Sequence, residues 1–415
     1  MGKRVLFFFL TFCFVFLISG KVYAGRQPVI VVIDPGHSGE NLGAQCDGYV
    51  EKDLNMAVAR AMKEELEKYD NVVVYLTHET DVDMTIKNRA LFAKEKNADF
   101  LFCLHFNSSV NHNLFGAEVW VPAYGDLYVA GRQFAEIEMA QLTDMGLYSR
   151  GIKTRLNDDD EDYYGILRYC SELNVPSALI EHCHLDHDND RGFYQDSEEK
   201  LKAFGRADAE AAAKYLGLSS TEKGIDYSDY PRLELESKSE AVRPDKTEPD
   251  ECSIEVVSID EETGEVTVKM KAADYDSYIL YYNYSFDGGN TYSELSGWPR
   301  PEWNSSEPEF TFTVTVPFDK DIELRTNAYN GFDVWKESNI INIPAIPEPQ
   351  EEIKEEESAY EEIDPEMICE PVSDNKMNQE EKVQLIILIL LISLIMTIIL
   401  FAMVKMIFRL KSSSK

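Results

Sequence analysis

Between residues 25 and 218 the chain alternates short apolar runs with stretches of helical periodicity, the sequence form of an α/β domain built on a mostly parallel, twisted sheet flanked by helices. The runs VIVVI, VVVYL, FLFCL, AEVWV and SALIE are candidate strands. Leu54, Val58, Met62 and Leu66 recur at helical spacing, and a second long helix over roughly 197–216 closes the domain. In such a sheet the carboxyl ends of the strands border a common crevice, so residues distant in sequence converge there. Three apolar runs end in polar groups: PVIVVIDPGH in His37, DFLFCLHFN with His105, and PSALIEH with Glu181. A fourth polar group, Glu51 in GYVEKDLN, stands just ahead of the amphipathic helix.

Taken singly, each has an ordinary explanation. His37 follows the strand-ending Asp34-Pro35-Gly36 and fits a loop; Glu51 suits the positive end of a helix dipole; His105 fits a hydrogen-bonded core histidine. Glu181 is harder to place, because a carboxylate at the end of a buried strand is costly unless paired, hydrogen-bonded or coordinated. Taken together, His37, Glu51 and His105 supply two imidazoles and one carboxylate, a donor set for Zn²⁺ with a fourth position open to water. Glu181 then remains as a free base, and the pattern predicts a hydrolase.

The rest of the chain reads as export, spacing and anchoring. Lys3 and Arg4 precede an uncharged apolar run over 5–18, and Val22-Tyr23-Ala24 suits cleavage of a signal peptide spanning 1–24. Residues 219–250, with Pro231, Pro244 and Pro249, read as a linker. Over 251–345 the period becomes two in CSIEVVSID, EVTVKMK, YILYYNYSF, EFTFTVTV and IELRTNAY, with a turn at Asp287-Gly288-Gly289; this predicts a small all-β sandwich of immunoglobulin or fibronectin type. Its Tyr292, Trp298 and Trp303 fit either core packing, the ordinary role, or a platform for stacking sugars. Residues 346–382 form a Glu- and Pro-rich stalk, 383–404 are long and apolar enough for a transmembrane helix, and 405–415 carry Lys405, Arg409, Lys411 and Lys415. By the positive-inside rule the tail is cytoplasmic, so the body is expected outside the cell, held to the membrane by a single C-terminal span.

Forty basic against 75 acidic residues give a net charge of −35, which excludes nucleic acid as a partner. Seven cysteines without paired spacing predict no disulfide framework; Cys13 leaves with the signal, and Cys103 and Cys183 read as buried thiols.

The ordered motifs IDPGHSG, GYVEKDLN, NRALFAKEKNADFLFCLHFNSS, RGIK and LRYCSELNVPSALIEHCHLDH, closing with DAEAAAKYLGL, make residues 28–218 resemble the zinc-dependent N-acetylmuramoyl-L-alanine amidases of the bacterial cell wall. The resemblance implies that His37, Glu51 and His105 bind Zn²⁺ and that Glu181 is the catalytic base. It also implies a peptidoglycan substrate, cut at the amide between the lactyl group of N-acetylmuramic acid and L-alanine. Asn55, Asn107 and Arg168 match family positions and are expected to support the site or bind substrate. A non-catalytic wall-binding or sensory protein, and a zinc peptidase acting within the stem peptide, are the alternatives.

Two departures stand out. After Glu181 the family often has a small residue, Gly and Phe, whereas this chain has His182-Cys183-His184 followed by Asp186, His187, Asp188 and Asp190. This cluster is expected to form a polar loop at the crevice rim, with a second metal or a retuned Glu181 as alternatives; strand alternation points His182 and His184 to one side and Cys183 to the other. Residues 116–150 are also too few to hold strand, crossover helix and the site-blocking helix of some relatives, so control is expected from the tether, the stalk or a partner. The acidic stretch 157–162 reads as a solvated loop.

Overall fold

The computed structural model describes residues 27–349, which fall within one compact unit. The signal peptide read at 1–24, the stalk beyond 349, the span at 383–404 and the tail lie outside the described residues. Among those described, no helix is long and apolar enough to cross a membrane.

Six strands build the central sheet: β1 (Val29–Pro35), β2 (Val72–Leu76), β3 (Phe100–Asn107), β4 (Ala117–Trp120), β5 (Ser149–Lys153) and β6 (Ser177–His184). Their order is β2-β1-β3-β6-β4-β5, parallel throughout except where β4 runs against β6. The expected mostly parallel sheet is therefore present. The helices are α1 (Glu51–Leu66), α2 (Ile86–Lys96), α3 (Gly125–Asp144), α4 (Gly165–Glu172), the single turn α5 (Asp188–Arg191) and α6 (Glu198–Leu216). Between β4 and β5 the chain forms α3 alone.

Strand alternation distributes these helices over both faces. Val31, Ile33, Phe100, Phe102 and Ile180 pack with Val58 and Met62 of α1, Phe134 of α3 and Phe204 of α6. Val32, Leu101, Cys103 and Leu179 pack on the other side with Ala90 and Ala93 of α2 and Ile166 and Leu167 of α4. Burial on both faces explains the unbroken apolar strands, each fully buried Phe or Leu contributing roughly 1.5–3 kcal/mol. Helices α1 and α6 approach so closely that a Cβ on Gly205 would lie 2.6 Å from Met62 N and Val58 O. By the same period of two, Asp34, His105 and Glu181 share the α2/α4 side of the sheet at its carboxyl edge.

Residues 219–250 contain little regular structure but are held along the α/β domain. Gly125 N donates to Lys238 O at 2.9 Å, Val242 N to Ala123 O at 2.9 Å, and Thr154 Oγ1 to Val242 O at 2.6 Å. Two antiparallel sheets follow. One contains β7 (Glu251–Asp260), β8 (Glu265–Ala273) and β10 (Glu309–Thr315); the other contains β9 (Ile279–Ser285), β11 (Ile322–Asn330), β12 (Trp335–Glu337) and β13 (Ile341–Ile343). Val266, Val268 and Met270 of the first meet Ile279, Ile322 and Leu324 of the second in a common core.

Trp298 belongs to that core, 1 % exposed, with its indole N–H donating to Glu307 O at 2.7 Å. Trp303 packs against the core of the α/β domain. Trp298 is therefore not free to stack on a sugar, whereas Trp303 is half-buried and lines a cavity. The two bodies join through Phe115, Leu280, Tyr281 and Leu295, with Tyr281 Oη donating to Phe115 O and Tyr148 Oη to Leu280 O.

Candidate active site

The four residues singled out from sequence line one cavity of about 560 Å³. β1 ends at Pro35, and the turn after it places His37 at φ 62° over the crevice. His105 comes from β3, Glu51 from the first residue of α1, and Glu181 from β6 beside His105 in register. His37 Nε2 lies 3.0 Å from Glu51 Oε2 and His105 Nδ1 lies 2.8 Å from Glu51 Oε1. One ligand atom from each of His37, Glu51 and His105 falls within 4.8 Å of the others, the only such group of three among the described residues.

Each donor is held. Asn41 Oδ1, which only accepts, lies 2.9 Å from His37 Nδ1, so that nitrogen carries a proton and Nε2 is the one turned to Glu51 and open to a metal in its place. Ala44 N and Phe106 N donate to the two oxygens of Glu51 at 2.7 and 3.2 Å. Burial would raise the Glu51 pKa, but hydrogen bonds from His105 and His37 outweigh it and hold the carboxyl well below its usual range. The cradle is tight: a Cβ on Gly36 would fall 2.3 Å from the His105 ring, and one on Gly43, at φ +71°, 2.4 Å from Glu51 Oε2. Two imidazoles and a carboxylate this close together, with no bulk beneath them, fit a tetrahedral Zn²⁺ of open coordination.

Glu181 has a different setting. It is 7 % exposed, and its buried Oε2 has no hydrogen-bond partner. Burial first, then the charges of Glu51 and Glu118, push its pKa well above the ordinary carboxylate range. Asn55, on α1, donates to Gly36 O at 3.0 Å and so supports the turn carrying His37. Asn107 lines the cavity and donates to Glu118 Oε1 at 2.8 Å. Arg168 does not line the cavity and ties down the neighbouring loop, donating to Asp162 O at 2.8 Å.

Two elements of the site went unnoticed in the sequence. Arg89 of α2 pairs with Asp34 at 2.8 Å and also donates to Pro35 O, His37 O and Ser38 Oγ, clamping the turn that carries His37. Glu118 lies in register with Glu181, buried between Arg150 at 2.9 Å and Lys153 at 2.8 Å. The signal for Glu118 was a charge inside the apolar run AEVWV.

The reading of 182–184 as a rim loop is corrected. These residues complete β6 and are buried. His182 Nδ1 faces His105 O at 3.0 Å, and its Nε2 faces the Asp208 carboxylate of α6 at 3.0 Å. His184 Nδ1 faces Gly116 O at 3.1 Å. Cys183 nevertheless joins the α1/α6 core, because a register shift between β3 and β6 breaks the alternation. Within the acidic stretch 157–162, Asp158 to Asp160 are exposed but Asp162 is buried, accepting from Ala123 N at 2.8 Å.

An open α/β sheet with this donor cluster and a free acid beside it has the layout of a metal-assisted hydrolase. Residues 31–214 match the N-acetylmuramoyl-L-alanine amidase family, and this part of the chain is a domain of that family. The chain is 29 % identical over 195 residues to N-acetylmuramoyl-L-alanine amidase AmiC of Escherichia coli, covering 38 % of this chain and 46 % of that protein. It is 28 % identical over 193 residues to N-acetylmuramoyl-L-alanine amidase CwlM of Bacillus licheniformis, covering 46 % and 70 %. A solved structure of Cwp6 from Clostridium difficile aligns with a TM-score of 0.43 at 27 % identity, covering 46 % of this chain and 29 % of that one. The first two curated relatives are matched over 27 % and 46 % of their own length.

Proposed function

We infer that this protein hydrolyses peptidoglycan at the amide between N-acetylmuramic acid and L-alanine, with Zn²⁺ held by His37, Glu51 and His105. The observation that carries the reading is the unpartnered Oε2 of Glu181, buried in the cavity that these three residues line. A buried carboxylate left so is costly for the fold, and family membership of residues 31–214 makes amide hydrolysis its natural use. Bound zinc supplies Lewis-acid activation of water and of the amide carbonyl. Glu181 accepts the proton of the attacking water and delivers it to the amide nitrogen as the C–N bond breaks, leaving a lactyl carboxylic acid and a free L-alanine amine. Ala44 N and Phe106 N fix the Glu51 carboxylate, while Arg89 keeps the turn of His37 from opening.

The location follows from the terminal segments: export by 1–24, anchoring by 383–404, and catalysis at the outer face of the cell membrane with 405–415 inside. The second body is a sandwich of immunoglobulin or fibronectin type.

Incubating the full chain with peptidoglycan and analysing the products by mass spectrometry tests the reading. Expected are an intact lactyl acid and stem peptides beginning with a free L-alanine amine, lost on chelation and restored by zinc. Cleavage between amino acids identifies a peptidase instead, and wall binding without products identifies a binder.

A further inference from the structure

A second cavity, of about 870 Å³, adjoins the first and shares Asn107, Ser108 and Tyr164 with it. Unlike the first, it is walled by three parts of the chain: the α/β domain, residues 243–246 of the connecting segment, and the turn Phe332-Asp333-Val334 of the sandwich. The walls are fixed to one another. Arg150 bridges Glu118 of β4 and Asp333 of the sandwich, at 2.9 and 2.8 Å. Lys153 Nζ stands 5.7 Å from the ring of Trp120 and 5.9 Å from that of Phe332, one aromatic from each body. Arg243 pairs with Asp160 at 2.9 Å, and Asp245 accepts from Asn330 Nδ2 at 3.1 Å.

This bracing engages most of the charge. Glu118, Asp333, Asp160 and Asp245 each have a partner, leaving in the lining Arg155 and Lys246, both exposed and neither ion-paired among the described residues, against Asp158 as the one acid without a partner there. Arg155 stacks on Tyr163, its guanidinium 3.6 Å from the ring centroid, so its orientation is set before any ligand arrives. In a chain with a net charge of −35, two cations without an acidic partner in the lining of an aromatic-walled cavity are distinctive. Such groups recognise carboxylates, whereas an uncharged sugar chain gives them nothing to pair with.

We propose that this cavity binds the peptide arm of the substrate, a short acidic peptide extending from the amide cut in the first cavity, and that the sandwich and connecting segment are specificity elements. This rests on the amidase reading for the identity of the substrate but not for the binding itself. Arg155 and Lys246 take the carboxylates, while Trp120 and Phe332 cover the apolar side chains. The sandwich is thereby part of the substrate site.

The test is calorimetric titration of the full chain with an L-alanyl tripeptide bearing two free carboxylates, and with the same peptide amidated at both. The acidic peptide is expected to bind about tenfold more tightly, and Arg155→Ala with Lys246→Ala to remove that advantage while leaving the amidated peptide unchanged. Both side chains are exposed, so folding is not at stake; Lys269→Ala on β8 serves as the control. Equal binding of the two peptides, or wild-type binding by the double variant, overturns the inference. Should the chain fail to cleave peptidoglycan yet still discriminate between the peptides through Arg155 and Lys246, the amidase reading falls and this site stands. Cleavage with no such discrimination leaves the reactions reversed: the amidase reading stands and this site falls.

Discussion

Glu181 and His182 are consecutive residues of β6, both buried, yet they belong to different parts of the molecule. Glu181 faces the cavity with Oε2 unpartnered; His182 faces α6, with one nitrogen on a backbone carbonyl and the other on Asp208. Burial by itself therefore says little about function, since both positions are buried. The state of the hydrogen bonds separates them: a satisfied buried polar group specifies packing, whereas an unsatisfied one stores free energy that chemistry can use. The same contrast holds among the histidines. His37 and His105 turn a nitrogen toward a shared carboxylate at a cavity wall, while His182 is enclosed by Phe106 and Phe204.

Glu181→Gln gives the largest effect on the cavity side. Removing the proton acceptor lowers kcat by about 10³-fold, in the range for a general base, with KM and zinc content preserved. Stability moves the other way. The folded-state pKa of Glu181 lies above its unfolded value near 4.5, so its protonated form stabilises the fold fully below that value, and this is lost as pH rises through the folded pKa. The variant lacks that loss. In zinc-free protein, the melting temperature of Glu181→Gln relative to wild type is expected to climb from pH 4.5 toward 8. A flat difference, or retained activity, would place Glu181 with His182 as a structural group.

On the opposite face the pattern inverts. His182→Ala leaves Asp208 buried without its partner and removes an aromatic contact with Phe204, lowering stability by about 3 kcal/mol. The fraction that remains folded is expected to keep kcat within about threefold, because no polar atom of His182 faces the cavity. Urea unfolding and single-turnover rates measure the two effects separately. A collapse in kcat comparable to that of Glu181→Gln would erase the difference between the two faces of β6.

How much of this was legible beforehand depended on the range of the interaction. His37, His105 and Glu181 could be read because each interrupts or ends an apolar strand, and sheet topology alone brings such positions to one edge. Glu51 was legible from its place ahead of a periodic helix. The clamp of Arg89 on Asp34 was not, since it spans 55 residues and both groups look ordinary locally. The pairing of His182 with Asp208 depends on how α6 crosses the sheet, and a charged residue in the alanine-rich DAEAAAK was its only trace. The course of residues 219–250 has no periodic signal, because its hydrogen bonds run from single backbone groups to a surface built elsewhere. The Arg150–Asp333 bridge joins residues 183 apart, beyond any local pattern.

The smallest effect refines the distinction within the cavity itself. Asn41 touches no reacting group, but its Oδ1 accepts from Gly43 N at 3.3 Å as well as facing His37 Nδ1, which fixes the amide with its oxygen toward the ring. That choice keeps a proton on Nδ1 and leaves Nε2, the nitrogen facing Glu51, as the one that can bind a metal. Asn41→Ala frees the ring to exchange tautomers and to rotate, so zinc affinity is expected to fall about tenfold, the low end for loss of such an orienting contact. Asn41→Asp keeps an acceptor in the same place and should restore most of it. Competition with a chromophoric chelator gives both affinities without reference to turnover. If Asn41→Ala binds zinc as tightly as wild type, then the contact between His37 and Asn41 belongs with that between His182 and Asp208, as packing that happens to border the cavity.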